Sequence, residues 1–277
     1  MHEVIIMKQL QNLHTHTKFD NGLDMPEEIV LYSIQKGFRS IGFSGHSYMH
    51  YAPEHSMSLE GTEKYKTDIS VLKEKYKDEI DVFCGLEVDM YSAVDLTGYD
   101  YLIGSVHYLL CDGQYIGFDR SLEIVKTVIN EHFGGKGIDY AKAYYETISK
   151  LPQYGKFDII GHFDLITKHC EMFKLFDSDS FAYKSAAIQA AEALSGKIPY
   201  FELNTGAIAR GYRKTPYPST FLIKELKKLG FGAVITSDCH DKNMIDCNFS
   251  LAEKLLKDCG FTERYILTKQ GFEPVSL

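Results

Sequence analysis

Short apolar runs alternate along the chain with longer segments whose apolar positions follow a helical spacing. Seven of the short runs have the length and content of buried strands, which are brief and almost continuously apolar. These predicted strands are residues 10–13, 40–43, 81–86, 101–106, 157–160, 200–203 and 233–236.

Amphipathic segments occupy most of the intervals between the strands, and we expect them to form helices. In the first segment Pro26 opens the pattern, acidic residues follow it and Gly37 ends it, which is typical of helix termini. The predicted helices are residues 26–36, 60–76, 119–133, 139–151, 178–194, 218–229 and 249–258. Alternating strands and helices predict an α/β domain with a parallel sheet.

No boundary interrupts this alternation of strands and helices, and the predicted domain organisation follows from that. Residues 1–277 contain no internal repeat, low-complexity block or linker, so we predict a single domain. Seven β/α units suit either a closed barrel or an open, doubly wound sheet. No glycine-rich phosphate-binding motif follows the first strand, so a nucleotide-binding sheet lacks support.

Composition narrows the choice of partners. The chain has 30 Lys and Arg against 38 Asp and Glu, a formal net charge of -8. An acidic chain is repelled by phosphate backbones, so we expect no nucleic-acid partner. A small anionic substrate stays compatible with this charge if cations are concentrated at one place. The chain also contains 11 histidines, and this number is the unusual feature of its composition.

The compartment is predicted from the cysteines and from hydropathy. The six cysteines form no CxxC pair, and several lie among apolar residues, where a reduced cysteine behaves as a small hydrophobic residue. We expect no signal peptide at the first residues, no membrane-spanning run and a cytoplasmic location. A disulfide framework is the alternative.

A residue of a type that can bind metal, or in one case an amide, follows every predicted strand. In a parallel barrel the carboxyl ends of the strands share one face, which carries the chemistry. In strand order these residues are His14 and His16, His46, Glu87, His107, His162, Asn204, and finally Asp238 and His240.

The spacing of these residues suits metal ligation. Residues i and i+2 of a strand point to the same side, so His14 and His16 can hold one ion together, as can Asp238 and His240. Glu87 has two oxygens and can bridge two ions. Imidazole and carboxylate sets suit zinc, manganese or iron, and their number exceeds the needs of one tetrahedral ion. We therefore predict two or three divalent ions.

Each residue taken alone also has an ordinary interpretation. A single histidine at a strand end is usually a hydrogen-bonded structural residue, Glu87 could be a loop carboxylate and Asp238 a helix cap. The coincidence of all of them at matching strand ends favours the metal centre. Five histidines lie away from the strand ends and are predicted to be incidental: His2, His50, His55, His132 and His169.

The order of short motifs resembles the polymerase and histidinol phosphatase (PHP) family. These motifs are LHTHT, GH, GLE, SVH, GHFD and SDCH. The segments IGSVHYLL and ELNTGAIARGYRKTPYP resemble the histidinol-phosphatase branch in particular. The resemblance implies a distorted, TIM-like barrel of seven β/α units with a trinuclear metal centre.

The resemblance also implies a ligand set for each ion. One ion would be held by His14, His16, Glu87 and Asp238. A second would be held by Glu87, His107 and His162. The third would be held by His46, His240 and a residue of the loop after HTHT. In that loop Asp20 stands one place before the usual position, which Asn21 occupies; we select Asp20 and keep Asn21 as the alternative.

The implied activity is hydrolysis of a small phosphorylated metabolite, most specifically L-histidinol phosphate, to L-histidinol and phosphate in histidine biosynthesis. Two divalent ions can activate water and clamp phosphoryl oxygens, so no serine or cysteine nucleophile is needed. The alternatives are another phosphoesterase of the family (a phosphotyrosine phosphatase, another metabolite phosphatase or an exonuclease) or a non-catalytic metal-binding sensor. Oligomeric state is not predicted.

The remaining candidates serve catalysis and phosphate binding. We expect Asp238, His240 and Glu87 to be catalytic, with the proton donor to the leaving group left open between metal-bound water, Asp238 and a nearby histidine. Lys168 follows the fifth strand, and Arg210 and Arg213 follow the sixth. Basic side chains at those ends are placed to bind phosphate oxygens.

Overall fold

Eleven strands are present in the computed structural model, which describes residues 10–277. The expectations about a signal peptide and about His2 concern residues 1–9 and lie outside the described residues. In chain order the strands are β1 (Gln11–Asn12), β2 (Ser40–Phe43), β3 (Asp81–Asp89), β4 (Tyr101–Ser105), β5 (Tyr108–Cys111), β6 (Gln114–Gly117), β7 (Ile159–Ile160), β8 (Tyr200–Asn204), β9 (Gly232–Thr236), β10 (Glu263–Thr268) and β11 (Gly271–Ser276).

Seven of these strands form one parallel sheet in the order β1-β2-β3-β4-β7-β8-β9. The chain just beyond β9 returns to the chain just beyond β1. There the Cys239 amide donates to the His14 carbonyl at 2.9 Å, and the His16 amide donates to the Cys239 carbonyl at 2.8 Å. The sheet is therefore a nearly closed barrel, which confirms the predicted fold over the open-sheet alternative.

Within residues 10–277, eight α-helices connect and cover the strands. They are α1 (Pro26–Gln35), α2 (Leu59–Lys75), α3 (Leu122–Phe133), α4 (Gly137–Ile148), α5 (Phe181–Leu194), α6 (Gly206–Ala209), α7 (Thr220–Lys228) and α8 (Phe249–Asp258). All seven predicted helices are present. Two of them begin about three residues later than predicted because Ser121 and Ser180 cap them, accepting from the Ile124 and Tyr183 amides. The short α6 was not predicted.

Two antiparallel hairpins lie outside the predicted pattern. The first joins β5 to β6 through Asp112 and Gly113, both at positive φ, a turn that Asp-Gly favours. The second joins β10 to β11. The side chain of Gln11 bonds both backbone groups of Leu267 in β10, at 2.7 and 2.8 Å, so this hairpin is attached to the first barrel strand.

The barrel interior is filled by apolar side chains and leaves the strand ends for polar ones. Its core contains Leu13, Phe83, Tyr101, Ile103, Ile159, Val234 and Leu267. Tyr101 packs so closely on β3 that a Cβ at Gly85 would lie 2.3 Å from its ring. The glycine of the GLE motif is thus required by the packing beneath Glu87. Within residues 10–277, no helix is both long and apolar enough to cross a bilayer.

Candidate metal centre

Glu87, near the end of β3, lies at the centre of the polar cluster and is buried. Its Oε2 atom lies 3.2 Å from Nε2 of His14, 3.5 Å from Nε2 of His16 and 2.9 Å from Nδ1 of His46. These histidines follow β1 and β2, so the strand order brings them to one end of β3. A bridge between His46 and Glu87 extends the β2–β3 pairing to this point.

The other oxygen of Glu87 faces the histidines that follow β4 and β7. Oε1 lies 3.4 Å from Nε2 of His107 and 3.0 Å from Nε2 of His162. The two Nε2 atoms are 3.2 Å apart. One carboxylate therefore contacts both halves of the cluster, as a bridging ligand would.

Residues after β9 complete the cluster. Oδ1 of Asp238 lies 3.3 Å from Nε2 of His16, and the His240 ring stacks on the His16 ring with centroids 4.2 Å apart. Asp238 has φ 47°, a region that non-glycine residues seldom occupy and that recurs at functional sites. Eight of the nine predicted ligands are thus brought together: His14, His16, His46, Glu87, His107, His162, Asp238 and His240.

The donor atoms fit a metal. Three sets each have their atoms within 4.8 Å of one another: His16, His46 and His240; His14, His16 and Glu87; His46, Glu87 and His107. At the centre, Nε2 of His14, Nε2 of His16 and Oε2 of Glu87 are buried without a hydrogen-bond partner among the described residues. Such atoms are rare because each loses its hydration without compensation. A divalent cation would satisfy them, and imidazole with carboxylate suits zinc, manganese or iron.

Glu202 on β8 orients two of the histidines and was not among the predicted site residues. Its Oε2 accepts from Nδ1 of His14 at 2.8 Å, which leaves Nε2 of that ring free for a metal. Its Oε1 accepts from the His162 amide at 2.6 Å. A carboxylate behind a ligating histidine fixes the tautomer and the ring orientation. The signal was present, because Glu202 stands two residues before Asn204 at a strand end.

Asp89, two residues beyond Glu87 on the same strand, is a second buried carboxylate that the sequence reasoning missed. Its Oδ2 accepts from the His107 amide at 2.9 Å and lies 3.4 Å from Nδ1 of the same ring. The i and i+2 positions of β3 therefore hold the central carboxylate and the carboxylate behind one of its histidines.

Asp20, the ninth predicted ligand, lies behind the cluster. Its Oδ2 accepts from Nδ1 of His16 at 2.6 Å and from the His46 amide at 3.0 Å, while Oδ1 accepts from the Thr17 amide at 2.9 Å. Burial opposes ionisation, but the His16 imidazole outweighs it and lowers the pKa of Asp20 to about 2. Asp20 thus orients histidines, and this placement does not support its prediction as a ligand.

Electrostatics keep the carboxylates of the centre ionised. Burial alone would raise the pKa of Glu87, but His14 and neighbouring imidazoles hold it well below its ordinary value. Burial is likewise outweighed at Asp238, where Arg210 is the strongest cause of a lowered pKa. Burial and an adjacent imidazole lower the pKa of His240 to about 3, so this ring is neutral near pH 7.

Two of the predicted cations border the centre. Arg210 donates from Nη2 to Oδ2 of Asp238 and from Nη1 to its carbonyl, both at 2.8 Å. Lys168 pairs with Oδ1 of Asp119 at 2.6 Å and lies 4.3 Å above the Tyr212 ring. Both cations line the same cavity as the predicted ligands.

Arg213 lies elsewhere, although it is only three residues beyond Arg210. Its side chain is 4% exposed and faces Glu171, Thr215 and Asp164, with Nη1 3.7 Å from Oδ1 of Asp164. It is not among the residues that line the metal cavity. This placement does not support the predicted contact of Arg213 with phosphate.

The metal cavity, of about 170 Å³, adjoins a second one of about 100 Å³. The two share Asn21, His46, His107 and Asp119. The second is also lined by Met49, His55, Tyr108 and Arg120. Sequence reasoning missed Arg120, which lies in no recognisable motif, whereas Asn21 had been kept as an alternative ligand.

The histidines predicted to be incidental stay out of the ligand sets within residues 10–277. His55 nevertheless lines the adjoining cavity beside Arg120. His169 is buried, and its Nε2 lies 2.8 Å from the Arg120 carbonyl, which accepts a hydrogen bond from it.

Comparison with solved structures finds the same fold. A structure of histidinol phosphate phosphatase from Lactococcus lactis, complexed with zinc, L-histidinol and phosphate, matches with a TM-score of 0.71 at 19% identity. The match covers 96% of this chain and 99% of that one. At this identity the likeness establishes the fold alone.

Comparison of sequences extends this result to the family. The "Probable histidinol-phosphatase" of Deinococcus radiodurans is 28% identical over 268 residues, covering 92% of this chain and 95% of that protein. The protein of the same description from Schizosaccharomyces pombe is 27% identical over 274 residues, covering 88% and 84%. The model of the PHP domain family matches residues 12–206. Since that match spans more than half of the chain, this protein belongs to the PHP domain family.

Proposed function

We propose that this protein is a metal-dependent phosphomonoesterase that hydrolyses L-histidinol phosphate to L-histidinol and phosphate. The observation that carries the proposal is the cluster of imidazole and carboxylate donors around Glu87, which opens into a cavity bordered by Arg210 and Lys168. A cavity lined by both candidate metal ligands and cationic side chains suits the binding of a phosphate ester. The relatives named histidinol-phosphatases, which align over most of the chain, support this substrate.

The proposed cofactors are two or three divalent ions, with zinc, manganese and iron as candidates. His14, His16, Glu87 and Asp238 would hold one ion, and Glu87, His107 and His162 a second. His46 and His240 would hold a third together with a residue of the loop after HTHT; Asn21 lines the same cavity, whereas both oxygens of Asp20 already accept from His16 and from backbone amides. Divalent ions at such a site supply Lewis acidity, which activates water at neutral pH and neutralises phosphoryl charge.

Arg210 and Lys168 would bind the phosphoryl oxygens. Each cation is held by a carboxylate, Arg210 by Asp238 and Lys168 by Asp119, so both are positioned before a substrate arrives. About a third of the Arg210 side chain is exposed towards solvent, which leaves donors for a ligand. A guanidinium fork pairs well with two phosphate oxygens, and preorganised charges of this kind stabilise phosphoryl transfer.

His240 has one nitrogen available for chemistry. Its Nδ1 lies 2.9 Å from the Asp238 carbonyl, an acceptor, and 3.2 Å from Nη1 of Arg210, a donor, so Nδ1 is engaged within the protein and Nε2 is the nitrogen left for a metal. Because the ring is neutral, Nε2 can bind a metal, whereas a pKa of about 3 makes the ring a weak proton acceptor. Asp238, ionised and held by Arg210, can accept but not supply a proton.

The adjoining cavity would take the alcohol part of the substrate. L-histidinol carries an ammonium group and an imidazole ring. Burial of Asp119 is outweighed by Lys168, which lowers the pKa of the carboxyl well below its ordinary value and keeps it anionic. We assign recognition of the ammonium group to Asp119, with Met49 and Tyr108 supplying apolar contacts for the ring.

Three further properties belong to the proposal. Residues 1–277 would form a single domain, supported by the continuous sheet of residues 10–277. The cytoplasm would be its location, supported by six free cysteines. Its partner would be a small phosphorylated metabolite rather than nucleic acid, supported by the net charge of -8.

The test is phosphate release by protein loaded with zinc, manganese or iron. Histidinol phosphate, a phosphotyrosyl peptide and single-stranded DNA form the substrate panel. We expect histidinol phosphate to be preferred, and His14→Ala and Asp238→Ala to abolish turnover while circular dichroism shows a retained fold. Preference for another substrate would overturn the assignment, and no turnover with any metal would favour the sensor.

A further inference from the structure

The carboxylate of Asp89 is held by donors on both of its oxygens. Oδ2 accepts from the His107 amide at 2.9 Å, and Oδ1 accepts from the Tyr91 amide at 3.2 Å and from the Tyr51 hydroxyl. Asp89 is 2% exposed, so these groups replace water around it. Since Tyr51 is the only side-chain donor in this set, it is the one that substitution can remove without altering the backbone.

Tyr51 is itself held in place by aromatic neighbours. Its ring stacks on Tyr115 with centroids 4.1 Å apart and an interplanar angle of 20°, and it meets the edge of Tyr108 at 5.0 Å. Tyr108 and Tyr115 belong to the β5–β6 hairpin. The hairpin therefore fixes the ring, and the ring directs its hydroxyl at Asp89.

We propose that Tyr51 is a positioning residue for His107, acting through Asp89. The Tyr51 hydroxyl holds the Asp89 carboxylate, and that carboxylate holds the His107 backbone and lies 3.4 Å from its Nδ1. Nε2 of His107 is thereby aimed at Oε1 of Glu87, 3.4 Å away, where a metal would sit between ligands. The unassigned β5–β6 hairpin gains a role, because it supports a ligand of the metal centre from outside the barrel.

The expected effect is on metal retention. Removing a partner behind a ligating histidine typically weakens metal binding about 10–100-fold. Tyr51 stands one step further from the ring than Asp89 does. We therefore expect about tenfold weaker binding in Tyr51→Phe and a larger loss in Asp89→Asn, which changes one of the two accepting oxygens to a donor.

The measurement is zinc affinity of the full chain by competition with a chromogenic chelator, together with bound zinc per chain. Tyr115→Phe is the matched control, since it removes a hydroxyl from the same stack while the donors to Asp89 remain. We expect Tyr51→Phe to lose affinity and Tyr115→Phe to keep it. Equal affinity in Tyr51→Phe and wild type, or equal losses in both tyrosine variants, would overturn the proposal.

A kinetic readout separates positioning from general damage to the fold. The inference rests on the metal centre of the proposed function, yet zinc affinity is measured without any substrate, so failure of the substrate assignment leaves this test intact. With the best phosphate ester found, excess metal should restore kcat in Tyr51→Phe with KM unchanged. A kcat deficit that excess metal does not restore would contradict positioning, as would zinc affinity of wild-type strength in Asp89→Asn.

Discussion

Replacing Glu202 by Gln would exchange one oxygen for an amino group at a position with no access to water. Glu202 is fully buried and accepts four hydrogen bonds. Oε2 accepts hydrogen bonds from Nδ1 of His14 and Oγ1 of Thr236, both at 2.8 Å. Oε1 accepts hydrogen bonds from the His162 amide at 2.6 Å and from Nδ2 of Asn204 at 2.8 Å. Whichever end receives the amino group, two acceptor contacts are lost.

The two orientations of the amide have different costs. If the amino group faces His162 and Asn204, two buried donors lose their acceptor, at about 1–3 kcal/mol each. If it faces His14, that ring must present Nδ1 as an acceptor, and the hydrogen moves to Nε2, the atom predicted to bind metal. We therefore expect the metal-free protein to lose about 2–6 kcal/mol of unfolding free energy, or metal affinity to fall about 10–100-fold.

Urea unfolding of chelator-treated protein measures the unfolding free energy, and competition with a chelator measures the metal affinity. Glu192→Gln on the exposed side of α5 is the matched control for the chemical change alone. A Glu202→Gln protein with wild-type values in both assays would refute the reasoning that this carboxylate orients the two histidines.

Three further outcomes are expected. Arg210→Lys removes the guanidinium fork and should lower kcat/KM for histidinol phosphate about 10–100-fold, the equivalent of one charge-assisted hydrogen bond. Arg213→Lys should instead lower the urea midpoint with little change in KM. The reverse pattern would contradict the assignment of the two arginines. Dialysis against a strong chelator should abolish turnover and added divalent metal should restore it, and activity that survives verified metal removal would refute the metal centre. Burial of Glu171 is outweighed by hydrogen bonds from Thr215 and the Lys214 amide, which lower the pKa of its carboxyl, so the ionised carboxylate stabilises the fold above the ordinary pKa of about 4.5 and this stabilisation is lost as the pH falls below that value. Glu171→Gln should therefore cost about 1 kcal/mol of unfolding free energy at pH 7 and less at pH 4. A cost that is constant or larger at pH 4 would refute this account of the carboxylate.

The predictable part of the site is the part that the strand ends specify. Eight of the predicted ligands lie together because a parallel barrel brings the ends of all its strands to one face. The carboxylates behind the histidines were missed. Asp89 reads as an ordinary strand residue, and the position of Glu202 near a strand end is a signal whose meaning is clear only once its partners are known. Asp20 was selected although it stands one place before the usual position of the motif, and in the structure both of its oxygens accept hydrogen bonds from His16 and from backbone amides.

The two arginines show where sequence reasoning ends. Arg210 and Arg213 share one loop, and their residue types predict the same role. The unpredicted turn α6 sends the first towards Asp238 and the second towards Glu171. By contrast, the β5–β6 hairpin could have been predicted, because Asp112-Gly113 between two apolar runs is a strong turn signal.

The seam between β1 and β9 sets the order in which the metal centre is assembled during synthesis. His14 and His16 leave the ribosome first, and Asp238 and His240 follow more than two hundred residues later. At about 5–20 residues per second, the early donors wait on the order of ten to forty seconds for the late ones. Throughout that interval the nascent chain carries imidazoles able to capture a metal but lacks the carboxylate that completes their site. The last barrel strand to be synthesised, β9, would therefore decide when the proposed ions become enclosed.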